Sequence, residues 1–114
     1  VLSQAIAECD ALYAPTDNTV ASSSALIDNV CRPKKIPVFS GEEGICKGCG
    51  VVTLTIDYYN LGVETGKMAA QILLGQKSVS EMPVSYDNNP VYKFNKEICN
   101  ELGITVPSDY QEIE

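Results

Sequence analysis

The residues of this chain able to do chemistry fall into four short clusters: Thr16-Asp17-Asn18, Glu42-Glu43, Cys46-Lys47-Gly48-Cys49 and Asp57-Tyr58-Tyr59-Asn60. Asp17, with a hydroxyl and an amide beside it, can hold a ligand ammonium through a charge-assisted hydrogen bond. The same residues can serve as a helix cap. Glu42 and Glu43, bracketed by Gly41 and Gly44, can bind a cation or an amine, or share acid–base work. They can equally form a solvated turn. If both acidic clusters face one cleft, they favour a ligand carrying a positive group.

The C-x-x-C at Cys46 and Cys49 would need a helix N-terminus to act as a thioredoxin-like redox site, because the dipole there lowers a thiol pKa. It reads instead as part of a glycine-rich loop before a strand. Zinc would need two more ligands, and the chain has no histidine and no second C-x-x-C. A local disulfide between Cys46 and Cys49 or a pair of free thiols remains. Tyr58 and Tyr59 can wall an aromatic ligand by stacking, or one can pack under a helix while the other is exposed. The stretch from Gly41 to Gly50 lacks the G-K-[ST] of a phosphate-binding loop. No metal and no cofactor are implied.

These clusters need elements to hold them. Ala11-Leu12-Tyr13-Ala14 and Ile36-Pro37-Val38-Phe39 are apolar runs that end abruptly in the first two clusters. In an open α/β sheet, ligands bind beyond the carboxyl ends of the parallel strands. Two such ends, one helix length apart, read as sides of one crevice. The spacing of Leu2, Ala5, Ile6 and Cys9 predicts a first helix. Asn18 or Thr19 caps a second, with Val20, Leu26, Ile27, Val30 and Cys31 as its stripe and Pro33 as its stop. A loop spans Gly41 to Gly50, and a third strand covers Val51 to Ile56. Asp57 caps a helix whose Leu61, Thr65, Met68, Ala69, Ile72 and Leu73 repeat at three and four, with Gly75 as its end. Gly62 and Gly66 allow this helix to pack closely. Pro83 to Phe94 turns at Asn88-Asn89-Pro90. Asn95 caps a last helix ending at Gly103, and the acidic tail from Ser108 frays. Strand alternating with helix argues parallel βαβ units. Cys9, Cys31 and Cys99 read as small core residues.

Composition narrows the class. With 114 residues, 45% of them apolar and 20% charged, the chain is about one globular domain. A net charge of −7 argues against nucleic acid and against an anionic membrane surface. No run approaches a membrane span, and no targeting segment is visible. The missing histidine lowers the prospect of a Ser-His or Cys-His hydrolase. Because Val1 stands inside a helical pattern, the chain is expected to be the back part of a longer protein.

The segments Tyr13 to Ser22, Ile36 to Glu43, Ile56 to Gly62, Gly66 to Ala70, Glu81 to Val84 and Asn95 to Pro107 together resemble the ABC-transporter substrate-binding lipoproteins of the tryptophan/tyrosine-binding type. The resemblance implies a three-layer α/β/α architecture with a mostly parallel sheet, part of a periplasmic-binding-protein type I fold. Residues 1–52 would belong to the second lobe, 53–83 to a crossover strand and helix of the first, and 84–114 to the return crossover and terminal helix. Thr16, Asp17, Asn18, Glu42 and Glu43 would face a ligand cleft, with Asp57 and Tyr58 near the hinge. The implied function is solute binding for an ABC permease, not catalysis. The ligand would be L-tryptophan, L-tyrosine, L-phenylalanine or a similar small molecule. The implied location is extracytoplasmic, anchored through an N-terminal lipobox outside this chain. The isolated piece would self-associate. The alternatives are the effector domain of a LacI-like transcription regulator and a C-x-x-C redox domain.

Overall fold

Short strands that stop at polar residues, the first four each followed by a helix, build the frame. The computed structural model describes residues 1–114. Five strands, β1 (Leu12–Ala14), β2 (Val38–Ser40), β3 (Val52–Thr55), β4 (Val91–Phe94) and β5 (Gln111–Glu112), form one sheet in that order. β1, β2 and β3 are parallel, β4 is antiparallel to β3, and β5 is parallel to β4. The chain divides into two units: Val1–Thr55 with Val91–Glu114, and Ile56–Pro90. β3 ends at Thr55, the last residue before the chain enters Ile56–Pro90.

In the first unit, α1 (Leu2–Ala5), α2 (Asn18–Ser22), α3 (Ser24–Cys31) and α4 (Glu43–Cys49) lie between or before the strands. Ile6, Ala14, Ile27, Cys31, Val38, Ile45 and Cys49 bury together as the main core. A second cluster joins Val51 to Ile98 and Cys99 of α6 (Lys96–Leu102), with Phe94, Ile104 and Val106 against it. Arg32, just past α3, ties the helices together: Nε donates to Asp28 at 2.8 Å, and Nη1 to Glu97 and Glu101 of α6.

Strand register fixes what the other sheet face carries. Tyr13 pairs with Phe39, Phe39 with Val52, and Leu54 with Tyr92, so these side chains share one face. That face is open: Tyr13 is 65% exposed, Phe39 43%, Leu54 48% and Tyr92 43%. Tyr92 stacks on Tyr110 with ring centroids 5.1 Å apart. A hollow of about 350 Å³ runs along this face. Parallel strands covered on both faces read as continuous apolar runs, which is how Ala11–Ala14 and Ile36–Phe39 read.

Several expectations change. Residues 43–49 are not loop but the helix α4, and Cys46 and Cys49 sit on its buried side. The glycines there serve packing. A Cβ on Gly48 would come within 2.7 Å of the Ser24 Cβ, and one on Gly50 within 2.9 Å of the Cys46 Cα. The acidic tail does not fray: Gln111–Glu112 pairs with β4, and Ile113 N–H donates to Phe94 O. The second helix is two helices, broken at Ser23. Of the segment from Pro83 to Phe94 only Val91–Phe94 is strand. Cys9 is exposed, not in the core.

In the second unit, α5 (Tyr58–Leu73) matches its apolar periodicity, and Gly75 follows it at φ +66°. A 3₁₀ turn at Val79–Glu81 carries a capping box between Ser78 and Glu81. No residue from 56 to 90 is buried. A Cβ on Gly62 or Gly66 would meet open space, so neither glycine is used here for close packing. No helix is long and apolar enough to cross a membrane.

All five cysteines are free thiols, so of the two arrangements open to Cys46 and Cys49 the structure holds the unbonded one. Cys49 Sγ donates back to Ile45 O at 3.4 Å and Cys99 Sγ to Val51 O at 3.3 Å. Burial pushes the Cys46 thiol up to about 11 and the Cys49 thiol up to about 12. Burial raises Cys31 and Cys99 as well. Redox thiols require the opposite, an exposed sulfur with a lowered pKa, which removes the C-x-x-C redox reading. A thiol reagent at pH 8 should therefore modify Cys9 rapidly in the native protein and the other four only on denaturation. Mass-resolved labelling checks this, and fast native modification of Cys46 or Cys49 would contradict it.

Candidate ligand-binding site

The carboxyl ends of β1 and β2 meet at Gly41. Its N–H donates to Ala14 O at 2.9 Å, extending the pairing one step beyond the strands. A Cβ at Gly41 would lie 2.6 Å from Thr16 Oγ1, 2.9 Å from Thr16 N and 3.1 Å from Tyr13 Oη. Only a residue without a side chain lets the two turns come this close. Thr16 and Gly41 are thus brought together.

Each acid of the expected site has a structural partner. Asp17 Oδ1 accepts from Thr19 N–H at 2.8 Å and Val20 N–H at 3.1 Å, capping α2. Asp17 is therefore the cap, with Asn18 as the first helical residue and Thr19 the second. Glu42 does the same for α4: Oε2 accepts from Gly44 N–H at 2.8 Å and Oε1 from Ile45 N–H. Glu43 does not join it, because its carboxylate meets Lys93 Nζ of β4 at 2.7 Å. The Glu42-Glu43 pair is split between two jobs and does not act as one acidic cluster.

Asp57 and Tyr58 belong to the second unit. Asp57 Oδ1 accepts from the Tyr59 and Asn60 N–H groups at 2.9 and 3.1 Å, and Oδ2 from Asn60 Nδ2 at 2.9 Å. Tyr58 is exposed. Along the N-terminal half of α5 a hollow of about 270 Å³ is lined by Asn60, Leu61, Glu64, Lys67, Tyr86 and Asp87, among others.

Tyr13 is the residue that the clusters did not single out. Its ring stands on the open sheet face and its hydroxyl reaches the β2 end beside Gly41. The signal was present: in β1 the side chains alternate inward at Ala14 and outward at Tyr13. No group of three or more Cys, Asp or Glu side chains is placed to hold a metal ion.

The chain divides into two units, and the first holds a mostly parallel sheet with polar residues at its strand ends, the α/β architecture that the resemblance of the sequence segments implies. The chain belongs to the ABC transporter substrate binding protein family, whose sequence model matches residues 1–111. A tyrosine-binding protein of Clostridioides difficile strain R20291 is 37% identical over 84 residues, covering 74% of this chain and 24% of that protein. The ligand-free, open structure of a substrate-binding protein with adhesive properties from Clostridium difficile is 36% identical. It superposes with a TM-score of 0.76 over 99% of this chain and 39% of its own. The ABC domain from Streptococcus pneumoniae in complex with L-Trp is 29% identical, with a TM-score of 0.83 and the same coverage. The chain thus spans about a quarter of the curated relative and about two-fifths of the solved chains.

The two backbone N–H groups on Asp17 hold its carboxyl below the ordinary 3.8. The unfolded carboxyl titrates near 3.8 and the folded one lower, so the cap is intact above 3.8 and is lost as pH falls through the folded value. The Thr19 and Val20 amide resonances should titrate together with a midpoint below 3.8, and Asp17→Asn should abolish that transition. An unshifted midpoint would show that the cap does not form in solution.

Proposed function

We propose that the protein containing this chain is the solute-binding component of an ABC importer and takes an aromatic amino acid. The observation that carries the reading is the convergence at Gly41, where Thr16 and the Tyr13 hydroxyl meet the end of β2 at the carboxyl ends of two parallel strands, with Asp17 next to Thr16 in sequence. Asp17, fully exposed at its helix start, takes the ligand ammonium. Thr16 and Asn18 supply a hydroxyl and an amide, and Tyr13 a ring face. Glu42 contributes by fixing the start of α4, and Glu43 through its hold on Lys93. Asp57 and Tyr58 are proposed as further ligand contacts on the resemblance of the Ile56–Gly62 segment. The first unit is the body of one lobe, and Ile56–Pro90 is part of the other. The tyrosine-binding relative and the L-Trp complex support the ligand class. Family membership supports a permease as partner, a carrier's role in place of an enzyme's, and a location outside the cytoplasm; an N-terminal lipid anchor is proposed from the resemblance of the sequence segments to lipoproteins.

Calorimetry on the full-length protein should show saturable heat with at least one of L-tyrosine, L-tryptophan and L-phenylalanine. Asp17→Ala should weaken that binding about tenfold or more, the scale of a hydrogen bond to a charged group. Silence with all three amino acids would overturn the ligand class.

The 114-residue chain made alone should self-associate. Its open face carries Tyr13, Phe39, Leu54 and Tyr92, and β1 is an unpaired sheet edge. Light scattering should give a mass above 12.3 kDa that rises with concentration. A monomer at all concentrations would refute this.

A further inference from the structure

The chain passes between its two units twice, after Thr55 and before Val91. Those two residues are direct partners in the antiparallel β3–β4 ladder. The outgoing and returning connectors therefore start side by side. Beyond the ladder a side chain continues the pairing. The Asp57 N–H donates to Asp87 Oδ2 at 3.1 Å, while Asp87 Oδ1 accepts the Asn89 N–H at 3.0 Å. One oxygen of Asp87 bridges the connectors, and the other folds the returning turn as an Asx turn. The residue bridged is the cap of α5, whose carboxylate is already committed to Tyr59 and Asn60. Asp57 is thus fixed at its backbone by Asp87 and at its side chain by the helix it starts. A carboxylate suits this task because it offers two acceptor oxygens, whereas asparagine offers one.

We propose that Asp87 is a positioning residue for ligand binding: by holding the two connectors together it fixes where Asp57 and Tyr58 start α5. The proposal rests on the reading of this chain as part of a solute-binding protein. A side chain that acts through the connectors need not touch ligand. Its loss should loosen the start of α5 and lower affinity while leaving the sheet of the first unit unchanged.

The test uses the full-length protein with Asp87→Ala and Asp87→Asn. Hydrogen exchange at the Asp57 amide should quicken about tenfold in Asp87→Ala. Affinity for the best-bound aromatic amino acid should fall about 3- to 10-fold, the scale of one hydrogen bond. Asp87→Asn should recover part of both, because its amide oxygen can still accept one bond. The thermal midpoint of unfolding should stay near that of the wild type in both variants, which shows that faster exchange and weaker binding in Asp87→Ala are not global unfolding. Unchanged exchange would show that the bridge is absent in solution. Faster exchange with unchanged affinity would show a bridge that positions nothing. Either result overturns the proposal. If wild-type protein binds none of the three amino acids, the ligand class itself fails. The bridge is then judged on exchange at Asp57 alone, where an unchanged rate rejects it.

Discussion

A helix that begins directly after a strand starts with N–H groups that have no partner, and this constraint organises the chain. Four of its helices begin just beyond a strand, and each meets the constraint with the side chain at the residue before it. Asp17 caps α2 after β1, Glu42 caps α4 after β2, Asp57 caps α5 after β3, and Asn95 caps α6 after β4. The polar residues that interrupt the apolar runs are therefore needed before any ligand arrives. Three of the four are carboxylates, which also complement the positive end of the helix dipole. The strand ends thus present acids that are oriented by the backbone, and Asp17 stays exposed while so held.

The same constraint explains what could be read from residues alone. The strand ends, the Asp57 cap and the long helix behind it were legible because each has a local signature: a polar break, a capping side chain, a repeat at three and four. The helix α4 was not legible. Gly44, Gly48 and Gly50 suggest a turn, yet Gly48 and Gly50 are there because Ser24 and Cys46 lie too close for a Cβ. That is a tertiary fact with no local sign. Once α4 is a helix, Glu42 becomes its cap and Glu43 swings to Lys93, so an apparent acidic pair was two unrelated residues. β5 escaped for another reason. Two residues have no periodicity, and Gln111 and Glu112 are strand only because β4 offers its edge. Of the proposed site, Thr16 and Asp17 stood out by type and position, and the structure gives Asp17 the role of a helix cap. Tyr13 required the strand register.

The two units differ in how far they can satisfy themselves. The first has two buried clusters, one of them built around Val51, and an Arg32 network between its helices. The second has an amphipathic 16-residue helix and no buried residue. A helix of this length is marginal without an apolar partner. Order in Ile56–Pro90 rests on local devices: the Asp57 cap, the Ser78–Glu81 box and the Asp87 turn.

Because Thr55 and Val91 are ladder partners, all of Ile56–Pro90 is, for the sheet, the loop of a single hairpin. A two-residue turn would join β3 and β4 equally well by geometry. Lengthening such a loop to these 35 residues is about four doublings, which costs ~2.4 kcal/mol in closure entropy. The price is small beside what the inserted length can carry. The arrangement gives the β3–β4 pairing a high contact order although the strands are neighbours. This pairing is therefore expected to be a late event in folding, after the parallel β1–β2–β3 segment has packed on its helices.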